Sequence, residues 1–190
     1  MASQKLNTVR INAGEWRSRL IKFPDATGLR PTPERVRQTV FNWLGQDLTG
    51  QTCLDLFAGT GVMGFESLSR GATSVTLVEK SLPAYKALLD NKQLLKADKA
   101  LVLHQDAIAF LQTNQQKFHV IYLDPPYNQQ WLVKILPLLA SHLTAEGVVY
   151  AEAEFAIDVN TDFVSGWQVA KQSKAGNVFY HLLKLANNND

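Results

Sequence analysis

At 190 residues, with 46% apolar and 19% charged residues, the chain has the size and balance of one folded domain, not of a disordered or fibrous protein. A single cysteine excludes an internal disulfide, and the four scattered histidines lack metal-ligand spacing, so no metal is expected. The net charge of +2 is unevenly spread: residues 1–37 balance at +5 and the rest at −3, which points to a polyanionic partner, with a plain solvated face as the alternative.

The N-terminus, MASQKLNTVR, has no signal-peptide core, and no apolar run is long enough to span a membrane, so a cytosolic protein is expected. TVRINAG and WRSRLIKF flank a glycine-containing turn and predict a hairpin whose alternation places Arg17 and Arg19 on one face. In GLRPTPERVRQTVFNWLGQDL, Thr32 is a good helix N-cap and Pro33 suits the first helical position. Val36, Val40, Phe41 and Leu44 share one face of that helix, with Arg35 and Arg37 away from its centre. From residue 52, short apolar runs (TCLDLF, SVTLVEK, ALVLH, FHVIYL, GVVYAEA) alternate with helical ones, which predicts a parallel sheet with helices on both faces. The last two runs, GWQVAKQS and NVFYHLLKLA, have no helix between them and predict an antiparallel hairpin at the sheet edge. The tail NNND reads as frayed, and Cys53, inside TCLDLF, reads as a buried small hydrophobe.

DLFAGTGVMG, residues 55–64, sets Gly59, Gly61 and Gly64 in a literal G-x-G-x-x-G between a strand and a helix. Asp55, four positions earlier, is ill placed for a pyrophosphate and well placed for a cation such as an amino acid's ammonium group. Glu79 ends the second strand, where a carboxylate can accept both ribose hydroxyls, and Asp106 ends the third, within reach of an adenine amino group. Three acids at successive strand ends line one crevice; the alternative is that each only caps the helix that follows. A ligand with ammonium, ribose and adenine but no phosphate is S-adenosylmethionine. Phe57, Ala58 and Thr60 in the glycine loop, Lys80 beside Glu79 and Ala107 beside Asp106 complete the candidate cofactor contacts. A fourth motif, DPPY at 124–127, forms a stiff corner where the strand FHVIYL runs out, because proline fixes its own φ and cannot donate to a ladder.

DLFAGTG, VEK, QDA and DPPY, in this order, resemble the class I methyltransferases that act on exocyclic amines of nucleic-acid bases. LRPTPERVRQTVFNWL followed by DLFAGTGVMGFESLSRGA is similar to the narrower RsmD family, with Ser18 standing where relatives often carry glycine. The resemblance, from about Arg10 to the final hairpin, implies a Rossmann-like α/β fold: a mostly parallel seven-stranded sheet with an antiparallel C-terminal hairpin, preceded by a β-hairpin and helix. It implies methylation of the N2 amine of a guanine in 16S ribosomal RNA, in a small subunit or an assembly intermediate. Within that reading the Asp124 carboxylate and Pro125 carbonyl accept the two amine N–H groups, Pro125 and Pro126 keep the backbone rigid, and Tyr127 stacks on a base drawn out of its stack. Arg10, Arg17, Arg19, Arg30, Thr32, Arg35 and Arg37 are the expected RNA contacts. One monomeric domain is expected, with residues 8–30 as a basic extension and 31–186 as the methyltransferase core. The alternatives are a DNA adenine N6-methyltransferase, a nicotinamide-dependent oxidoreductase, and a catalytically silent RNA-binding assembly factor with this fold.

Overall fold

A computed structural model describes residues 6–127, 130–158 and 164–186; Lys5 and the tail NNND lie outside the described residues. Strands β1 (Leu6–Arg10) and β2 (Leu20–Pro24) pair antiparallel, with Arg10 opposite Leu20. Alternation turns Ile21 and Phe23 inward, and both are buried. The hairpin is bound to the body by its backbone. Asn91 accepts from the Lys22 N–H at 2.9 Å and donates to the Lys22 carbonyl at 2.7 Å. Ser69 Oγ accepts from the Trp16 N–H at 2.8 Å and donates to the Ala13 carbonyl at 2.6 Å. The chain passes so close here that a Cβ on Gly14 would lie 1.7 Å from the Ser69 carbonyl oxygen.

Helix α1 (Glu34–Leu44) buries Val36, Val40 and Phe41 as its periodicity predicts, and it stops at Gly45, whose φ of 98° breaks the helical path. Thr32 is not its N-cap: Pro33 holds that position, and no side chain caps the helix. Thr32 is instead buried, and its carbonyl accepts from Arg37 Nε at 3.1 Å.

The main sheet contains β3 (Thr52–Asp55), β4 (Ser74–Glu79), β5 (Ala100–His104), β6 (Phe118–Leu123), β7 (Leu143–Ala153), β8 (Trp167–Ala175) and β9 (Val178–Leu185). Their order is β5-β4-β3-β6-β7-β9-β8, and only β9 runs against the others, pairing antiparallel with both β7 and β8. The final hairpin therefore enters the sheet second strand first: β9 pairs with β7, and β8 takes the edge. Helices α2 (Val62–Ser69), α3 (Leu82–Leu95), α4 (Ala107–Thr113) and α5 (Trp131–Leu139) connect the parallel strands.

Alternate residues of each central strand feed two cores. Cys53, Val75, Leu77, Val120, Tyr122 and Tyr150 pack with α1, α2 and α3, while Leu54, Val78, Ile121, Leu123 and Val149 pack with α4 and α5. Burial on both faces is why these strands read as unbroken apolar runs. Cys53 is fully buried, and burial pushes its thiol up to about 12, as suits an inert packing residue. The chain leaves β3 toward β4 and β5 and returns on the other side at β6. The gap between the carboxyl ends of β3 and β6 is thus the point where an open α/β sheet binds its ligand.

Candidate active site

Asp55 is the last residue of β3, and Asp124 is the first after β6, so the two acids flank that gap. Asp55 is buried and accepts from the Gly64 N–H at 3.3 Å. Burial pushes its carboxyl up to about 7; the Gly64 N–H works against that shift and the charge of Glu79 adds to it. A buried acid held there gains most from a cation placed against it. The loop from Phe57 to Gly61 turns over the strand ends. Its last glycine has φ 76°, a left-handed conformation that leads directly into α2, and a Cβ there would meet Leu88 at 2.4 Å.

Glu79, at the end of β4, holds this loop in place. Its Oε2 accepts from the Gly59 N–H at 2.8 Å, and its Oε1 accepts from the Ser81 N–H at 2.6 Å. Each carboxylate oxygen keeps a second lone pair for a ligand hydroxyl. Asp106 caps α4, accepting from the Ile108 and Ala109 N–H groups at 3.0 and 3.4 Å, and its other oxygen pairs with Lys80 Nζ at 3.1 Å. Burial raises the Asp106 carboxyl, but the Lys80 and helix N–H bonds outweigh it and hold the group below its ordinary value. The capping role considered for Asp106 is thus present alongside its position at the crevice. Phe57 meets Trp131 edge-on at a centroid distance of 5.3 Å, joining the loop after β3 to the start of α5.

The corner Asp124–Tyr127 contains more than its own motif. In the β6–β7 ladder Leu123 stands opposite Ala151, which brings Asp124 beside Glu152. Glu152 Oε1 accepts from the Tyr150 hydroxyl at 2.6 Å, and Asp124 and the Tyr127 hydroxyl lie close enough to perturb it. Burial pushes the Asp124 carboxyl well above the ordinary range, and the charges of Glu152 and Asp55 push it the same way. Burial also raises the Tyr127 phenol, with Glu152 and Asp124 adding, so Tyr127 stays a neutral donor. Glu152 was not among the residues expected from the sequence. Its signal was an acid in the apolar run VVYAEA, on a strand whose neighbour the sequence alone did not identify.

The basic extension differs from the expectation in three respects. Arg10, Arg17, Arg19, Arg30 and Arg35 are exposed. Arg17 and Arg19, however, precede β2, and Ser18 between them has φ 69°, so the strand alternation invoked for their shared face does not apply. Arg37 is not a surface contact: it is 2% exposed, and its Nη1 donates to Glu66 Oε2 at 2.5 Å and to the Arg10 carbonyl at 3.0 Å. Thr32, buried beneath it, is not a surface contact either. Arg37 lies on the inward side of α1 because the fold supplies a fixed carboxylate on α2 to receive it.

The family described as "Conserved hypothetical protein 95" matches residues 9–184. A relative from Escherichia coli K12, named ribosomal RNA small subunit methyltransferase D, is 37% identical over 176 residues, covering 92% of this chain and 88% of its own. The Escherichia coli yhhF structure superposes with a TM-score of 0.84 at 33% identity, covering 94% of this chain and 98% of that one. A Thermus thermophilus 16S rRNA N2 G1207 methyltransferase, solved with AdoMet and guanosine, superposes with a TM-score of 0.73. At 19% identity, over 97% of this chain and 51% of that one, it carries the fold alone.

Proposed function

This chain belongs to the family of ribosomal RNA small subunit methyltransferase D proteins, and we propose that it methylates the exocyclic N2 amine of a guanine in 16S ribosomal RNA. S-adenosylmethionine supplies the methyl group on a sulfonium centre. The residues present fit that cofactor. Asp55 is a buried acid suited to an ammonium group, Glu79 keeps lone pairs for ribose hydroxyls, and Asp106 with Ala107 stands at the next strand end for adenine. Gly59, Thr60, Gly61 and Gly64 bring the backbone close, with Phe57, Ala58 and Lys80 around them.

The observation that carries the reading is the acid corner beside this crevice. An exocyclic amine is a weak nucleophile because its lone pair is delocalised into the base. Asp124 and the Pro125 carbonyl would accept its two N–H bonds and leave the lone pair directed at the methyl carbon. Pro125 and Pro126 would hold that geometry without reorganisation, which is catalysis by orientation. Tyr127, 43% exposed, would offer its ring to the base once the base has left its stack. The exposed Arg10, Arg17, Arg19, Arg30 and Arg35 would meet phosphates, on an extension whose backbone bonds to α2 and α3 make it one body with the core. A chain this size has little surface for reading sequence, which favours an assembled small subunit as substrate.

Nucleoside mass mapping of 16S RNA from cells with and without the gene tests the reading. Loss of one N2-methylguanosine is the expected result. Unchanged RNA together with a missing N6-methyladenine in DNA would favour the DNA enzyme, and no change in either would favour a silent assembly factor.

A further inference from the structure

We propose that Glu152 is a positioning residue for Asp124, and that the two carboxyls hold one proton between them and face the reacting amine as a single negative charge. The inference rests on the methyl-transfer reading of the site. Ionised carboxylates only accept hydrogen bonds, so two carboxyls that bond to each other must retain one proton. The β6–β7 register, Leu123 opposite Ala151, sets Asp124 and Glu152 side by side at the end of the strand pair, close enough for such a bond.

The surroundings say where the proton rests. Glu152, 5% exposed, takes the Tyr150 hydroxyl at 2.6 Å and the Tyr127 hydroxyl as well. Three donors converge on Glu152, so it carries the charge and Asp124 carries the shared proton. The other groups facing the pair are acids and phenols: Asp55 from β3, Glu154 near Tyr127, and Tyr180 on β9, opposite Glu152. Burial and these neighbours oppose a second charge, which keeps the pair at one.

This arrangement provides a path for the proton that methylation releases. The amine lone pair forms the new N–C bond as the C–S bond breaks, and that bond's electrons stay on sulfur. The nitrogen, now positive, gives a proton to the outer oxygen of Asp124. Asp124 passes its inner proton to Glu152. The pair ends neutral, with two protons, and returns one to water. Glu152 never touches the base; it sets the orientation of Asp124, and by accepting from the Tyr127 hydroxyl it sets that ring.

The test is a carboxyl ¹³C NMR titration of the free protein labelled at Asp and Glu side chains, assigned with Asp124→Asn and Glu152→Gln. In the wild type, the Asp124 and Glu152 signals should each move in two steps at shared midpoints. Glu152→Gln should reduce Asp124 to one step at lower pH, because a neighbouring charge and a hydrogen bond have been removed. Asp124→Asn should reduce Glu152 to one step. Thermal melts and cofactor titration check that both near-isosteric variants are folded. Independent one-step curves in the wild type, unmoved by substitution of the partner, overturn the proposal. Because neither RNA nor cofactor is present, the outcomes separate: paired titration without methyl transfer to small subunits refutes the function and leaves the pair standing, and independent carboxyls with normal methyl transfer refute the pair alone.

Discussion

Glu66 and Asp124 are both acids set among apolar elements, and they differ in what surrounds them. Glu66 is wholly buried between two arginines, Arg37 at 2.5 Å and Arg70 at 2.8 Å, and Arg70 also lies over the Phe41 ring. Asp124 lies among Glu152, Asp55 and Tyr127, none of which is cationic. In the first cluster the protein itself matches the acid's charge, and Arg37 ties the basic extension to α2. The second faces the gap at the sheet's switch point with its charge uncompensated, poised for a cationic ligand and a nitrogen that becomes positive. An acid matched by its own chain reads as scaffold, and an acid that the chain leaves unmatched beside a crevice reads as a candidate for function.

The comparison breaks first at Glu66. Glu66→Gln leaves two arginine guanidiniums around a neutral amide and should cost about 3–5 kcal/mol of stability, read by denaturant unfolding. Single-turnover methyl transfer by the folded fraction should stay near normal. Asp124→Asn should do the reverse: unchanged melting and cofactor affinity, with transfer slowed about 10²–10³-fold, or roughly 2.7–4 kcal/mol, because an amide cannot take up the proton that the methylated nitrogen gives off. Glu79→Ala should weaken cofactor binding by about 1.5–3 kcal/mol for each charge-assisted bond lost, as measured by calorimetry, and loosen the Gly59 loop that Glu79 now holds.

Asp55 adds a pH test. Its folded-state carboxyl is raised to about 7 from an ordinary value of 3.8, so between these values the folded chain keeps a proton that the unfolded chain has released. Its contribution therefore weakens the fold as pH rises through that window. A bound cation reverses the preference, so cofactor affinity should fall as pH drops below about 7, by at most about tenfold per unit. Asp55→Asn should abolish that slope. Tyr127→Phe should have the smallest effect: the stacking ring remains, but its hydroxyl bond to Glu152 is lost, at about 0.5–1.5 kcal/mol.

The sequence made the parallel strands and the acids at their ends legible because both depend on local pattern. Runs such as FHVIYL, buried on two faces, stand out without knowledge of their partners, and the acid that ends each run is placed by the same pattern. What the sequence hid depended on contacts between distant segments. Glu152 gained its role only when β7 was found beside β6. Arg37 looked like a surface charge because Glu66, the partner that lets it be buried, lies 29 residues away. The face assigned to Arg17 and Arg19 assumed an unbroken strand, whereas Ser18 takes a left-handed turn between them.

The most direct measurement is single-turnover transfer of labelled methyl from S-adenosylmethionine to small ribosomal subunits from a strain lacking this protein, with the product nucleoside identified by mass. The account predicts one N2-methylguanosine per subunit, formed by the wild type and slowed about 10²–10³-fold in a folded, cofactor-binding Asp124→Asn variant. Label on any other atom, or near-normal transfer by that variant, would contradict it.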